Sequence, residues 1–188
     1  MNIFTFWEGH MPEYIKLCMS TWPFPFIKLN YNNLHDYTDI RIEPLSKYTL
    51  PQIADYIRVH VLRDQGGYWL DADTIILSDK LPAANMIGDP ISRTQSIGYL
   101  FTEAHSEMFE KWARYQDNIV GVSRDTTWSI LGNSFTDKYI VEHPEITIMP
   151  ITNSYPETYM IKGNGSRYEK YQEFYFQKAY HIADLKPT

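Results

Sequence analysis

The sequence predicts an α/β fold, a mixed central sheet flanked by helices. Three observations predict it: a strand–helix–strand opening over residues 2–30, an amphipathic stretch over residues 51–65 halted by Gly66-Gly67, and a short apolar strand ending in two aspartates, Asp71 and Asp73. Asn2 to Trp7 is aromatic and β-branched, the composition of a buried strand. Glu8-Gly9-His10 breaks it. Pro12 suits the first turn of a helix running to about Thr21, with Tyr14, Ile15, Cys18 and Met19 at helical spacing. Trp22-Pro23-Phe24-Pro25 ends that helix, and Phe26 to Asn30 reads as a second strand. Strand, helix, strand in that order implies a parallel βαβ unit.

Residues Tyr31 to Lys47 are polar and irregular, a connection with a short helical turn. Pro51 opens the next helix, whose positions Ile53, Ala54, Ile57, Val61 and Leu62 form one apolar stripe to about Gln65. Gly66-Gly67 stops it, because glycine accepts the left-handed backbone of a helix stop. Tyr68 to Asp71 forms a short strand, and Thr74 to Leu77 resumes as a second apolar stretch. Further on, Pro82 to Pro90 reads as loop, Ile97 to Phe101 as strand, and His105 to Gln116 as a helix with Met108, Phe109, Trp112 and Tyr115 inward. Thr126 to Val141 reads as a helix interrupted by Gly132. Ile146 to Met149 is a strand, and Asn153 to Arg167 is loop-like.

The chain has 188 residues, 44% apolar and 15% aromatic, so a sizeable core and one domain over residues 1–188 are expected. Its abundance of Tyr, Phe, Ile and Leu excludes a disordered chain. The net charge is −6 and Lys and Arg are scattered singly, which argues against a nucleic-acid partner. Cys18 is the only cysteine, so no intrachain disulfide or thiolate cluster can form, and its amphipathic setting marks a buried structural thiol. A reducing, cytoplasmic home is expected. No signal peptide is expected, since the apolar stretch from Ile3 to Trp7 is short and no basic residue precedes it. No apolar run approaches the roughly 20 residues of a spanning helix, so any membrane contact is expected to be peripheral.

The chemistry concentrates in Ile53-Ala54-Asp55-Tyr56-Ile57-Arg58 and Gly66-Gly67-Tyr68-Trp69-Leu70-Asp71-Ala72-Asp73. Two carboxylates separated by one small residue at the end of an apolar strand suit a hard cation, because Mn²⁺ and Mg²⁺ prefer oxygen ligands shared with substrate phosphates. Ala72 is small enough for phosphates to approach. Asp55 and Arg58 are spaced i, i+3 on one helix face. A bare Asp-x-Asp is more often a solvated turn, and an i, i+3 pair more often a surface salt bridge. Here Asp55 lies beside the apolar stripe, where a solvated acid is out of place. Tyr68 and Trp69 are strand neighbours and face opposite sides, so one packs in the core and the other can line the site.

This pattern resembles the sugar-transferase region of glycosyltransferase family 32, which includes capsular polysaccharide synthesis enzymes and yeast-type mannosyltransferases. The family's run is similar to Ser-Asp-x-x-Arg, a helix, then Gly-Gly-x-Tyr-x-Asp-x-Asp. The chain has Ala54 in place of that serine. The 16-residue step from Asp55 to Asp71 also resembles the core of the large clostridial glucosylating toxins. Phe6-Trp7-Glu8-Gly9 is similar to the family's opening Trp-x-Gly. The specific likeness spans residues 1–80, and the family's C-terminal Gly-Pro motif has only the stretch 126–133 as its nearest counterpart.

The resemblance implies a GT-A fold, a Rossmann-like single domain binding a nucleotide-sugar at the C-terminal strand ends. Residues 1–80 would bind the nucleotide-sugar, and residues 81–188 would form the acceptor side. It implies Phe6 and Trp7 at the nucleotide base, and Asp55 and Arg58 at the donor sugar. Asp71 would serve ribose, sugar and metal, Ala72 the donor, and Asp73 the metal directly. His181 would complete the metal site, with Asp184 a weaker option. The implied reaction moves a hexose from a UDP-hexose to a hydroxyl of a glycan acceptor with retention, using Mn²⁺ or Mg²⁺ and Arg58 to stabilise charge on the diphosphate. An inverting enzyme would need a base, for which Glu103 and Asp125 are candidates. A sugar-1-phosphate nucleotidyltransferase is disfavoured, since Phe4-Thr5-Phe6-Trp7-Glu8-Gly9 lacks a glycine-rich basic phosphate loop. The alternative from another class is a non-catalytic nucleotide-sugar or carbohydrate-binding module derived from a transferase.

Overall fold

The computed structural model describes residues 1–76, 80–81, 84–89, 94–150 and 160–162. The opening is the expected βαβ unit. Strand β1 (Ile3–Phe6) leads into helix α1 (Glu13–Ser20), with Pro12 as its N-cap, and returns as β2 (Ile27–Leu29), parallel to β1. Residues 31–47 hold two short 3₁₀ turns, Leu34–Asp36 and Glu43–Leu45. Helix α2 (Leu50–Gln65) follows and delivers β3 (Gly67–Leu70), which pairs parallel with β1 on the side away from β2.

The rest of the chain extends and covers this unit. Strands β4 (Thr74–Ile76), β5 (Met86–Asp89) and β6 (Thr94–Thr102) precede helices α3 (Glu107–Val122) and α4 (Asn133–Glu142), and β7 (Ile148–Pro150) and β8 (Met160–Lys162) complete the described strands. The main sheet runs β2-β1-β3-β6-β5-β7 and is mixed: β6 lies antiparallel to both β3 and β5, while β5 and β7 are parallel. A second, two-stranded sheet pairs β4 with β8.

Alternation along β3 divides the core between the two sheet faces. Trp69 joins Phe4, Ile57, Leu62 and Trp112 under α2, α3 and α4. Its neighbours Tyr68 and Leu70 join Ile15, Met19, Trp22 and Tyr99 under α1. Buried Cys18 lies on α1. The Trp22 indole donates to the Thr74 carbonyl at 2.7 Å, and the Ile76 amide donates to Thr21 Oγ1 at 2.9 Å, pinning β4 to the end of α1.

Several expectations need correction. The 51–65 helix does not bury one stripe: Tyr56 through Leu62 are all buried, because α2 is enclosed by β1 and β3 on one side and α3 on the other. Tyr56 donates to Asp117 Oδ1 at 2.6 Å across the α2–α3 contact, and His60 Nε2 lies 3.3 Å from the same oxygen. Burial pushes the Asp117 carboxyl up, but those two partners outweigh it and hold the group below the usual carboxylate range. The stretch expected as loop from Pro82 to Pro90 contains β5, made into a strand by pairing on both edges. The helix expected from Thr126 starts only at Asn133, since residues 127–132 form turns. The stretch 153–167, expected as loop, contains β8. Residues 169–180 lie outside the described residues.

Gly67 is where the sheet depends most on a missing side chain. Its φ is +95°, and a Cβ there would fall on the Asn2 carbonyl oxygen, the same atom that accepts the Tyr68 amide at 2.9 Å and starts the β1–β3 pairing. Gly67→Ala is therefore expected to cost about 2 kcal/mol or more in urea unfolding, with Gly121→Ala, where a Cβ meets nothing within 4 Å, staying within about 0.5 kcal/mol. Equal effects of the two changes would contradict this account of the β1–β3 junction.

Candidate active site

The topology creates a crevice before any side chain is considered. From β1 the chain passes through α1 to β2 on one side, then through α2 to β3 on the other. Helices α1 and α2 lie on opposite faces. The carboxyl ends of β1 and β3 therefore flank a topological switch point, the usual place for a ligand in an open α/β sheet. A cleft of about 590 Å³ opens there.

Each residue predicted for the donor and the metal within the described part reaches this cleft. Phe6 ends β1 and Trp7 follows it, held by its amide on the Leu29 carbonyl at 3.0 Å and its indole on the His10 carbonyl at 3.3 Å. Asp71, Ala72 and Asp73 turn off the end of β3. The Asp71 amide donates to Gly98 of β6 at 2.8 Å, and the Thr74 amide closes the turn on the Asp71 carbonyl at 2.9 Å. Asp55 enters from α2, beside Ala54 and one turn after Pro51. His181 and Asp184 lie outside the described residues.

Arg58 organises the centre. It is 4% exposed. One of its terminal nitrogens lies 2.9 Å from Asp55 Oδ1 and 3.1 Å from Asp71 Oδ1. The other donates to the Ile97 carbonyl, and Nε reaches the Ala54 carbonyl at 3.5 Å. The guanidinium lies over the Trp69 ring, 5.2 Å from its centroid, and the Trp69 indole donates to Asp71 Oδ1 at 3.0 Å. The i, i+3 pair is thus no surface salt bridge: side-chain exposure is 5% for Arg58, 15% for Asp55 and 20% for Asp71. Buried ion pairs of this kind require nearly complete hydrogen bonding of the cation, which these acceptors supply. Arg58 is directed at the protein's own acceptors rather than standing as a loose cation in the cleft.

Asp55, Asp71 and Asp73 against Arg58 are the charged side chains lining the cleft among the described residues. Tyr14 of α1 also lines it. Burial first, and then the negative charge of Asp73, push its phenol up, so it stays protonated at neutral pH. Among the described residues, no three His, Cys, Asp or Glu side chains gather closely enough to hold a metal by themselves.

Sequence reasoning missed the opposite wall. Gln95, Ser96 and Ile97 of β6, Asn133 at the start of α4, and Trp128 all line the cleft. Gly132 lies against the acidic centre: a Cβ there would stand 2.9 Å from Asp55 Oδ2 and 2.6 Å from the Ile97 side chain. The available signal was the Gly132-Asn133 pair, which marks a helix start rather than an interruption. Glu103 and Asp125 do not line the cleft. Glu103 follows Thr102, which pairs with Gly67 at the far end of β3, and Asp125 accepts from the Thr127 amide and hydroxyl at 2.8 and 2.6 Å.

The solved structure titled "PaToxG Glycosyltransferase" is similar over 99% of this chain and 78% of that one, with a TM-score of 0.54 at 13% sequence identity. That likeness establishes a GT-A-like fold, a mixed sheet flanked by helices as the sequence predicted. The chain belongs to the family described as capsular polysaccharide synthesis protein, whose pattern it matches over residues 1–179. No curated protein matches it. Among the described residues, no helix is long and apolar enough to cross a membrane.

The Arg58 network makes a direct prediction. Arg58→Met leaves two half-buried carboxylates without their shared cation and is expected to cost about 3 kcal/mol of stability. Adding Asp55→Asn to that variant should recover part of the loss in urea unfolding, because it removes one of the stranded charges. A double variant no more stable than Arg58→Met would contradict this electrostatic account.

Proposed function

We propose that this chain is a metal-dependent hexosyltransferase of the glycosyltransferase family 32 type, moving a hexose from a UDP-sugar to a hydroxyl of a glycan acceptor with retention. One observation carries the reading: three carboxylates and one inward guanidinium line a cleft at the carboxyl ends of parallel strands in a chain of the capsular polysaccharide synthesis family. A nucleoside diphosphate brings further negative charge. Like unit charges about 4 Å apart near a protein surface repel by about 4 kcal/mol, so the diphosphate needs a divalent cation to enter.

The donor set fits such an ion. Asp73 and Asp71 offer hard oxygen ligands beside the small Ala72. With Asp71 Oδ1 already taken by Arg58 and Trp69, the protein supplies few ligands, which suits an ion shared with substrate phosphates. When bound, Mn²⁺ or Mg²⁺ neutralises the leaving diphosphate as a Lewis acid.

The chain's own residues bind and orient. Trp7 offers a ring for the nucleotide base beside β1, and Phe6 lines the same cleft. Arg58 holds Asp55 and Asp71 in fixed positions, where they accept hydrogen bonds from donor sugar and ribose hydroxyls. Such preorganised polar groups need no rearrangement as the glycosidic bond breaks. Holding donor and acceptor together supplies much of the remainder. Front-face retention requires no carboxylate nucleophile beneath the sugar.

Isothermal titration with UDP and UDP-hexoses, with and without Mn²⁺, tests the reading. UDP is expected to bind at least about tenfold tighter with Mn²⁺, and Asp73→Asn to erase that gain and lower UDP-hexose hydrolysis about 100-fold. UDP binding that ignores Mn²⁺, with no turnover, would instead favour the non-catalytic binding module.

A further inference from the structure

The cleft has two walls, and the donor reading uses the wall beside β1. In the order β2-β1-β3-β6, β1 and β6 stand on opposite sides of β3. Phe6 and Trp7 belong to the β1 side. Gln95, Ser96, Asn133 and Trp128 belong to the other, where Asn133 Nδ2 donates to the Gln95 backbone carbonyl at 3.2 Å.

Trp128 is unlike the other tryptophans. Trp22, Trp69 and Trp112 are buried and Trp7 is half-buried, whereas Trp128 is 66% exposed at the edge of the cleft. Its exposure is not that of a loose loop. Gln52, in the first turn of α2, donates its amide to the Thr126 and Thr127 carbonyls at 3.1 Å each. The Ile130 amide closes the turn on the Thr127 carbonyl at 2.9 Å. The backbone beneath the indole is thus anchored to the helix that carries Asp55 and Arg58, and a ligand meeting it has little ordering cost to overcome.

A second feature points to the same occupant. Gln95 is 9% exposed, and its Nε2 donates to Asp137 at 2.8 Å and to the Thr136 hydroxyl. The described residues of this wall carry amide and hydroxyl groups and no cation, so it suits a neutral polyol rather than a phosphate.

We propose that the β6 wall is the acceptor subsite, in which a pyranose ring of a glycan stacks its apolar face on Trp128 while its hydroxyls meet the neutral polar side chains of Ser96 and Asn133. This rests on the glycosyltransferase reading and adds to it the residues that hold the acceptor. Aromatic rings with one apolar face and a wet edge are suited to such contacts.

The test uses the full chain with UDP and Mn²⁺ and probes it with methyl α- and β-glucosides, galactosides and mannosides by saturation-transfer NMR. Trp128→Ala, whose fold is checked by circular dichroism, should weaken hexoside binding about tenfold, Trp128→Phe less, and UDP affinity by titration should move by less than about twofold. Hexoside binding unchanged in Trp128→Ala, or absent from the unmodified chain, overturns the proposal. An equal loss of UDP affinity also overturns it, by moving Trp128 to the donor side. Hexoside binding that needs Trp128 in a chain that binds no UDP would leave the subsite standing and overturn the transferase reading instead.

Discussion

Arg58 is the constraint on which the rest of the structure depends. Its guanidinium joins Asp55 on α2 to Asp71 at the end of β3, reaches the Ile97 carbonyl on β6, and lies over Trp69. A helix and two strands are thereby locked around one buried cation. Without it the carboxylates would repel one another in a partly dry cleft. With it, they become fixed acceptors whose geometry is set before any ligand arrives. The twin glycines serve the same end. Gly66, with φ +64°, stops α2 where a Cβ would press 2.5 Å from the Ala104 amide nitrogen, and Gly67 lets β3 close on β1.

The topology places this network where chemistry can use it. Helices on opposite faces of the sheet leave the β1 and β3 ends flanking a crevice, and the acidic turn 71–73 forms its floor. In the proposed reading, the excess of carboxylates over cations disfavours a bare diphosphate and suits one carrying a divalent ion.

The gathering of Asp55, Arg58, Asp71 and Asp73 in one cleft was legible in the sequence because they are side chains at fixed spacing: Asp55 and Arg58 one helical turn apart, and Asp71 and Asp73 after a helix stop. The opposite wall was not legible, since much of what it contributes is backbone or absence. Ile97 offers a carbonyl, Gly132 offers the lack of a Cβ, and neither has a sequence signature. Strand β5 was hidden by Gly88 and flanking prolines, and it exists because β6 and β7 pair with it. The apolar spacing after Thr126 permits a helix; the Gln52 amide and the Asp125 carboxylate hold that backbone in turns instead. In each case tertiary contacts outweighed local pattern.

The central claim is that the acidic turn and a nucleoside diphosphate share one divalent ion that neither holds well alone. Electron paramagnetic resonance of Mn²⁺ measures this directly, because the sharp signal of the free ion collapses on binding. The account predicts that protein alone leaves most of the Mn²⁺ signal intact, and that adding UDP removes about one equivalent per chain, beyond what UDP removes by itself. A full equivalent taken up without UDP, or UDP bound with all the Mn²⁺ still in solution, would contradict it.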